Sequence, residues 1–204
     1  MSSANSQNTS PLERVLPAAW KMLHKGVGRY RHPFHRAVLS TVNDNTPELR
    51  SVILRGFSEH DRILIFHCDI RSAKVQQIRE NPNVSCLFYH PKKWLQLRFS
   101  GIATVHSDDE TAETEWEKMK LSSRVNYGAD SPPGSRTQTP VSGPTVFPHG
   151  GASRRFEHSH ARRNFAVMVC RFDHLDWLHL KLTGHKRAIF HWENNRLEAS
   201  WVIP

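Results

Sequence analysis

RSVILRGFSEHDRILIFHCDIRSAK, residues 50–74, is the stretch on which the reading of this chain turns. Arg50 to Phe57 is apolar and β-rich between two arginines, and Ser58-Glu59-His60-Asp61 is a polar turn. Ile63 to His67 is a second apolar run of strand length. Asp69 stands where a helix cap is expected, with Arg71, Ser72 and Lys74 in the first turn that follows. The helix should continue through Val75 and Ile78 and stop near Asn81-Pro82, because proline disfavours helix at the residue before it. A helix start bearing a hydroxyl and an ammonium, beside strands bearing Arg50 and Arg55, suits a phosphate. Free N–H groups, the positive helix end and guanidinium forks all favour a dianion. Solvated charges at the ends of strands and helices are the other reading of the same residues.

Outward from that stretch, residues 1–10 are polar and expected to be disordered. Pro11 to about Lys25 carries an apolar stripe of Leu12, Val15, Leu16, Ala19, Trp20 and Leu23 and reads as a helix capped by Ser10. Pro17 should kink or restart it, and Gly26 and Gly28 should end it. Arg36–Val42, Leu49–Phe57, Arg62–His67, Val84–His90 and Trp94–His106 read as strands, with a turn at 43–47. Gly101 marks a bulge or a close backbone approach. Ser107–Lys120 runs from acidic to basic, as a helix capped by Ser107 or Asp108 would. Residues 128–163, rich in Gly, Pro, Ser, Thr and Arg, read as a disordered insertion. Strands then return at Phe165–Phe172, Leu175–Leu180, Arg187–Trp192 and Leu197–Ile203. With no repeated strand-helix-strand unit, the expected fold is mainly β with a few helices, a small antiparallel barrel in a single domain over residues 11–204.

Composition narrows the function. The chain has 204 residues and a net charge of +9 with histidine neutral, so phosphorylated ligands, nucleic acid and acidic membranes all come into view. The basic residues are spread out and no aromatic-basic RNA signature is present, which disfavours nucleic acid. No apolar run reaches membrane-spanning length, and MSSANSQNTS does not read as a signal peptide. Cys68, Cys86 and Cys170 each sit in an apolar run; an odd number without a framework points to a reducing, cytoplasmic setting. There is no Walker loop, dinucleotide glycine fingerprint, CxxC, HExxH or nucleophile elbow. The fourteen histidines are scattered, and His158 and His160 alone do not make a metal site.

The ordered set of motifs resembles the pyridoxamine 5′-phosphate oxidase-like family of FMN-binding split barrels. The quoted residues are Arg50-Ser51-Val52-Ile53-Leu54-Arg55, Phe66-His67-Cys68-Asp69, Ser72-Ala73-Lys74, Glu80-Asn81-Pro82 leading into Leu87-Phe88, and Leu95-Gln96-Leu97-Arg98-Phe99-Ser100-Gly101. Trp177 followed by Arg187 completes the set. The resemblance covers about residues 35–106 well and 164–204 moderately. It implies a split β-barrel, FMN as cofactor, oxidoreductase activity on a small-molecule substrate, and a homodimer whose site is shared across the interface. By the same resemblance, Arg50, Ser72 and Lys74 would hold the FMN phosphate. Val52, Ile53, Cys68 and Gln96 would line the ring and ribityl path, and Arg55 stands where the family has lysine. Trp177 and Arg187 would come from the second subunit.

The departures set expectations of their own. Ala73 removes an arginine beside Lys74, and Cys68 replaces a threonine hydroxyl. The family's Arg-Leu-His substrate motif is here Thr183-Gly184-His185, keeping the histidine alone; the central insertion replaces the region of the family's further substrate residues, for which Arg124 is the candidate to stand in. A non-redox barrel that binds another phosphorylated ligand or nucleic acid is the alternative from a different functional class.

Overall fold

The computed structural model describes residues 10–140, 158–194 and 196–204. Eight antiparallel strands form one sheet in the order β3-β2-β1-β4-β5-β6-β7-β8, and a further β3–β6 pairing closes the first six into a barrel. The strands are β1 Arg36–Asn43, β2 Thr46–Ser58, β3 Ile63–Asp69, β4 Asn83–His90, β5 Leu95–His106, β6 Phe165–His179, β7 Lys186–Glu193 and β8 Arg196–Val202. Five helices accompany them among the described residues: α1 Val15–Gly28, α2 Ala73–Glu80, α3 Glu110–Lys118, α4 Leu121–Arg124 and α5 His158–Asn164. The expected barrel is therefore the observed one.

Strand alternation builds the interior. Leu39, Leu54, Leu64, Phe66, Phe88, Leu97, Phe99 and Phe172 are fully or almost fully buried. They alternate with half-buried or exposed neighbours along each strand. Helix α1 lays Trp20 onto this core, its ring centroid 5.3 Å from Phe57 and 5.9 Å from Phe172. A second, smaller core of Ala112, Trp116, Met119, Ala161, Phe165 and Val167 lies between the β6 surface and helices α3 and α5.

Several expected boundaries move, each for a local reason. The N-terminal helix starts at Val15 rather than Pro11. Ser10 still makes a reciprocal pair with Glu13, in which the Ser10 N–H donates to the carboxylate at 2.8 Å and the Glu13 N–H donates to the hydroxyl at 3.3 Å. That pair closes a turn ahead of the helix. Pro17 then falls in the first helical turn, where its missing N–H costs nothing, so it neither kinks nor restarts the helix. Helix α2 begins at Ala73 with Ser72 at the N-cap position; the Asp69 carboxylate instead accepts from the Arg71 N–H at 2.9 Å. Asp109, rather than Ser107 or Asp108, caps α3, accepting from the Ala112 N–H at 3.0 Å.

The two strands expected at 165–172 and 175–180 are one continuous strand, β6. Its partner β5 shifts register between Ser100 and Gly101, and this bulge lets β6 run on through Asp173. Gly101 lies opposite the bulge, whose extra residue is Asp173 of β6, and is also a close approach: a β-carbon there would lie 2.0 Å from the Arg171 carbonyl oxygen.

The stretch expected to be disordered, 128–163, is ordered at its described edges. The carbonyls of Ala129 and Asp130 each accept from the Arg71 guanidinium at 3.0 Å, and α5 buries Ala161 completely. Residues 1–9 and 141–157, on which the remaining expectations of disorder fall, lie outside the described residues.

Candidate functional site

The start of α2 is the most chemically distinctive place in the barrel. The Ser72 hydroxyl donates to the Asp69 carbonyl at 2.7 Å, and the Lys74 ammonium donates to that hydroxyl at 2.9 Å. No side chain caps the helix; the Val75 N–H donates to the Ser72 carbonyl at 2.9 Å, and the N–H groups ahead of it are the ones an incoming acceptor would meet. Asp69 is already committed: its carboxylate takes the Arg71 guanidinium at 2.7 and 3.0 Å. Burial lowers the pKa of Lys74, and the positive charge of Arg50 adds to the effect. A half-buried ammonium beside another cation, at an open helix start and without a carboxylate partner among the described residues, is the environment a phosphate dianion would relieve.

Arg50 reaches the same neighbourhood from β2. Its guanidinium donates to the Gln77 side-chain oxygen of α2 at 3.0 Å, to the Glu48 carboxylate at 3.1 Å, and to the Thr41 hydroxyl. Gln77 and Thr41 are buried, so these contacts tie the β1–β2 ladder to α2 and hold Arg50 on the Lys74 side of the barrel. The structure thus brings Arg50, Ser72 and Lys74 together, as the sequence suggested. It also shows what the sequence did not, namely that Arg50 shares its donors with Thr41, Glu48 and Gln77.

Val52 and Cys68 point into the hydrophobic core. Burial raises the Cys68 thiol pKa to about 11, so it stays protonated at neutral pH. Both residues therefore have mainly backbone atoms to offer a ligand. Ile53 is half-buried on the opposite face of β2.

Arg55 sits at the register shift between Leu54 and Gly56, with its Nε buried and unpartnered among the described residues. Its charge is felt at two nearby groups that the sequence reading did not single out, His67 and Tyr127. The His67 Nε2 lies 3.0 Å from Glu115, its Nδ1 is buried without a partner among the described residues, and burial lowers its pKa. Burial likewise raises the pKa of the Tyr127 phenol. This second cluster of donors suits an anionic group. Only the outward position of His67, two residues after Ile65, was available in sequence to mark it.

A third group lies on the outward face of the sheet. The pairing register sets Tyr89, Gln96, Leu178, Arg187 and Val202 in one row across β4 to β8, and Val38, Leu87, Arg98, Asp176 and Ile189 in the adjacent row. Gln96 and Arg187 are thus near neighbours on one face. Trp177 pairs with Leu97 and Ala188 on the other face, its ring 6.1 Å from that of Trp201. Arg124 is occupied at the end of α3, donating to the Trp116 carbonyl at 2.9 Å and lying over the Trp116 ring. His185 is exposed, its Nδ1 accepting from the Lys181 N–H at 3.2 Å. Among the described residues no group of three or more metal-ligating side chains occurs, and no helix is long and apolar enough to cross a membrane.

A closed antiparallel barrel with an open phosphate-type cradle defines the class, a split barrel of the flavin-mononucleotide type. Comparison with known proteins agrees. Residues 17–107 match the family described as pyridoxamine 5′-phosphate oxidase, FMN-binding domain. Over that region the chain is similar to this family's FMN-binding domain, and FMN is the cofactor that the match supports.

Among its relatives is the pyridoxine/pyridoxamine 5′-phosphate oxidase of Psychrobacter cryohalolentis, 37% identical over 103 residues, which are 50% of this chain and 46% of the relative. The Arabidopsis thaliana pyridoxine/pyridoxamine 5′-phosphate oxidase 2 is 29% identical over 126 residues, 56% of this chain and 64% of the relative. The chain spans about half the length of the oxidases it matches. In fold it is similar to a pyridoxamine 5′-phosphate oxidase-related, FMN-binding protein of Nostoc punctiforme. That likeness has a TM-score of 0.70 and 23% identity and covers 97% of this chain and 99% of the other. PhzG from Burkholderia lata shares the fold with a TM-score of 0.68 at 15% identity, covering 100% and 98%.

Proposed function

We propose that this protein is an FMN-dependent oxidoreductase acting on a small-molecule substrate, and that it works as a homodimer with each site built from two chains. The carrying observation is Lys74, half-buried beside Arg50 at the uncapped start of α2 and without a carboxylate of its own among the described residues.

When bound, FMN supplies the two-electron chemistry, which is consistent with the absence of any nucleophile or metal motif in the sequence. The residues of this chain bind and orient. Lys74, the Ser72 hydroxyl and the α2 N–H groups take the phosphate, and Arg50 adds a guanidinium by exchanging its contact with Glu48. Ile53 and the backbone of Val52 and Cys68 lie along the path from there toward the ring. Arg55, with His67 and Tyr127, gives an anionic group of the ligand or substrate a partly dry, cationic seat. Trp177, His185 and Arg124 remain candidates for ring and substrate contacts.

The second chain enters for a geometric reason. Gln96 and Arg187 lie on the outward sheet face, whereas Arg50 alternates onto the inner one. No hydrogen bond among the described residues links the two sets. The outward rows also hold Val38, Leu87, Leu178 and Ile189, all half-buried, and Tyr89, which is exposed. A mixed sheet face of this kind, with apolar residues around the cluster of Arg98, Asp176 and Arg187, suits a two-fold contact, which would bring Gln96 and Arg187 to the partner's cradle.

The test is the visible absorbance and solution mass of the purified full chain. Flavin absorbance, or uptake of added FMN, with a dimeric mass is expected. A protein that is colourless and takes up no FMN would overturn the redox reading in favour of a binding module, and a monomer would overturn the shared site.

A further inference from the structure

Asp176 sits in the middle of β6 with 3% of its side chain exposed, and it carries two guanidinium groups. Arg187, from β7, approaches side-on: its Nε donates to Oδ1 at 3.0 Å and one terminal nitrogen donates to Oδ2 at 2.8 Å. Arg98, from β5, donates a terminal nitrogen to the same Oδ2 at 2.6 Å. All three residues lie on the outward face, Arg98 directly opposite Asp176 and Arg187 one row along.

A buried carboxylate is costly unless its oxygens are filled, and both oxygens of Asp176 are filled by arginine. Two parallel N–H···O bonds fix the plane of a guanidinium as well as its place. Arg187 presents its Nε edge to Asp176, which leaves its other terminal nitrogen without a hydrogen-bond partner among the described residues and keeps about a third of the side chain exposed. With one negative and two positive charges, the cluster turns a net cationic surface outward. Neighbouring strands could have held the arginines by packing alone; instead an aspartate is buried where an apolar residue would satisfy the sheet.

We propose that Asp176 is a positioning residue for the flavin site, locking the Arg187 guanidinium, with Arg98 beside it, into one orientation toward the partner chain's FMN. This rests on the reading that Arg187 reaches a flavin across a two-fold interface. Asp176 itself touches no ligand in this scheme. Its effect passes through Arg187, and removing it leaves Arg187 present but free to rotate, so its interaction with FMN must then offset the entropy of ordering it.

The experiment is a double-mutant cycle on FMN affinity, read by quenching of flavin fluorescence on the full chain, with the melting temperature of each apo protein measured alongside. Arg187→Ala should weaken FMN binding about ten-fold, the loss of one charge-assisted hydrogen bond. Asp176→Asn should weaken it by a similar factor when Arg187 is present and cause little further loss in the Arg187→Ala background, because the two act as a unit. Equal losses in both backgrounds would show that Asp176 serves only the fold, and would overturn the proposal. Asp176→Glu keeps the buried charge but displaces the fork by a methylene, so it serves if Asp176→Asn does not fold. It should also bind FMN more weakly, and wild-type affinity in this variant would overturn the proposal. If instead Arg187→Ala binds FMN as wild type does, the shared-site reading fails first, whatever Asp176 does.

Discussion

His67 of β3 and Glu115 of α3, 48 residues apart in sequence, meet at 3.0 Å with only 6% and 12% of their side chains exposed. The contact pins α3 to the barrel. Burial holds the imidazole below its ordinary pKa of 6.5, outweighing the Glu115 hydrogen bond that pulls it upward. Burial would raise the Glu115 pKa, but the bonds from Lys118 and His67 outweigh it and hold the carboxyl below 4.5.

These shifts fix the sign of a pH effect. The unfolded chain takes a proton on His67 near pH 6.5, while the folded chain resists until lower pH, so stability falls as pH drops below about 6.5. The Glu115 contribution is present above its unfolded value and is lost at still lower pH, in the same direction. Melting temperatures taken from about pH 8 to about pH 5 should decline, and His67→Gln should flatten that decline. The difference between the two curves isolates His67 from His90 and His174, whose pKa values burial also lowers. Parallel curves would refute the assignment.

Arg50→Ala and Lys74→Ala should each weaken FMN binding by roughly ten-fold to a hundred-fold, as expected for a charge-assisted hydrogen bond to a phosphate. Ala73 offers no third cation as substitute. The two variants should differ in the apo state. Lys74 is half-buried without a carboxylate partner among the described residues, so its removal should leave the apo melting temperature unchanged or higher. Arg50 bridges Thr41, Glu48 and Gln77, so its removal should lower it. Flavin titration and apo melts together check both halves.

Gly101→Ala should cost roughly 2–4 kcal/mol, because a β-carbon 2.0 Å from the Arg171 carbonyl oxygen forces the β5–β6 ladder apart. Chemical denaturation would measure the loss. A change below about 0.5 kcal/mol would mean that the bulge can open at little cost.

Much of this was legible from residues 50–101. The β2–β3 hairpin, the α2 stop at Asn81, the Gly101 bulge and the grouping of Arg50 with Ser72 and Lys74 follow from turn chemistry, alternation and the motif order. What stayed hidden depends on partners distant in sequence. Polar Asp173 and His174 look like a strand break until the register with β5 shows Asp173 as the extra residue of a bulge in a continuous β6. Asp176 reads as a surface charge until Arg98 and Arg187 are found on either side. Asp69 looks like a helix cap, but Arg71, two residues on, takes both of its oxygens, and that guanidinium is held in turn by the carbonyls of Ala129 and Asp130, far along the chain. The helix 158–164 has too little apolar sequence to announce itself and is held by Phe165, Trp116 and Tyr127 around it.

That last point reverses an expectation about the 128–163 stretch. Its described ends are anchored: the Arg162 guanidinium donates to the Ser107 carbonyl at 2.8 Å and to Glu113 at 3.0 Å, and Asn164, just beyond, donates to the Tyr127 carbonyl at 2.8 Å. Replacing all of 128–163 with a short Gly/Ser linker should therefore lower the melting temperature by several degrees, as the loss of one or two kcal/mol does in a domain of this size. Replacing only 141–157 should leave these anchors in place and cost much less. Equal melting temperatures for the two variants would show that α5 adds nothing.

The closing of the barrel also has a temporal side. Strands β1 to β5 follow one another along the chain with short connections, but the ring shuts only when β3 pairs with β6, whose residues are roughly a hundred positions away. Contacts that distant are the slowest to form, since a long loop must be ordered before they repay its entropy. Refolding should therefore proceed as an open sheet, in the order β3-β2-β1-β4-β5, that acquires protected amides early in β1, β2, β4 and β5. The β3–β6 seam should be sealed last and, in the folded protein, be the first place where the ring breathes.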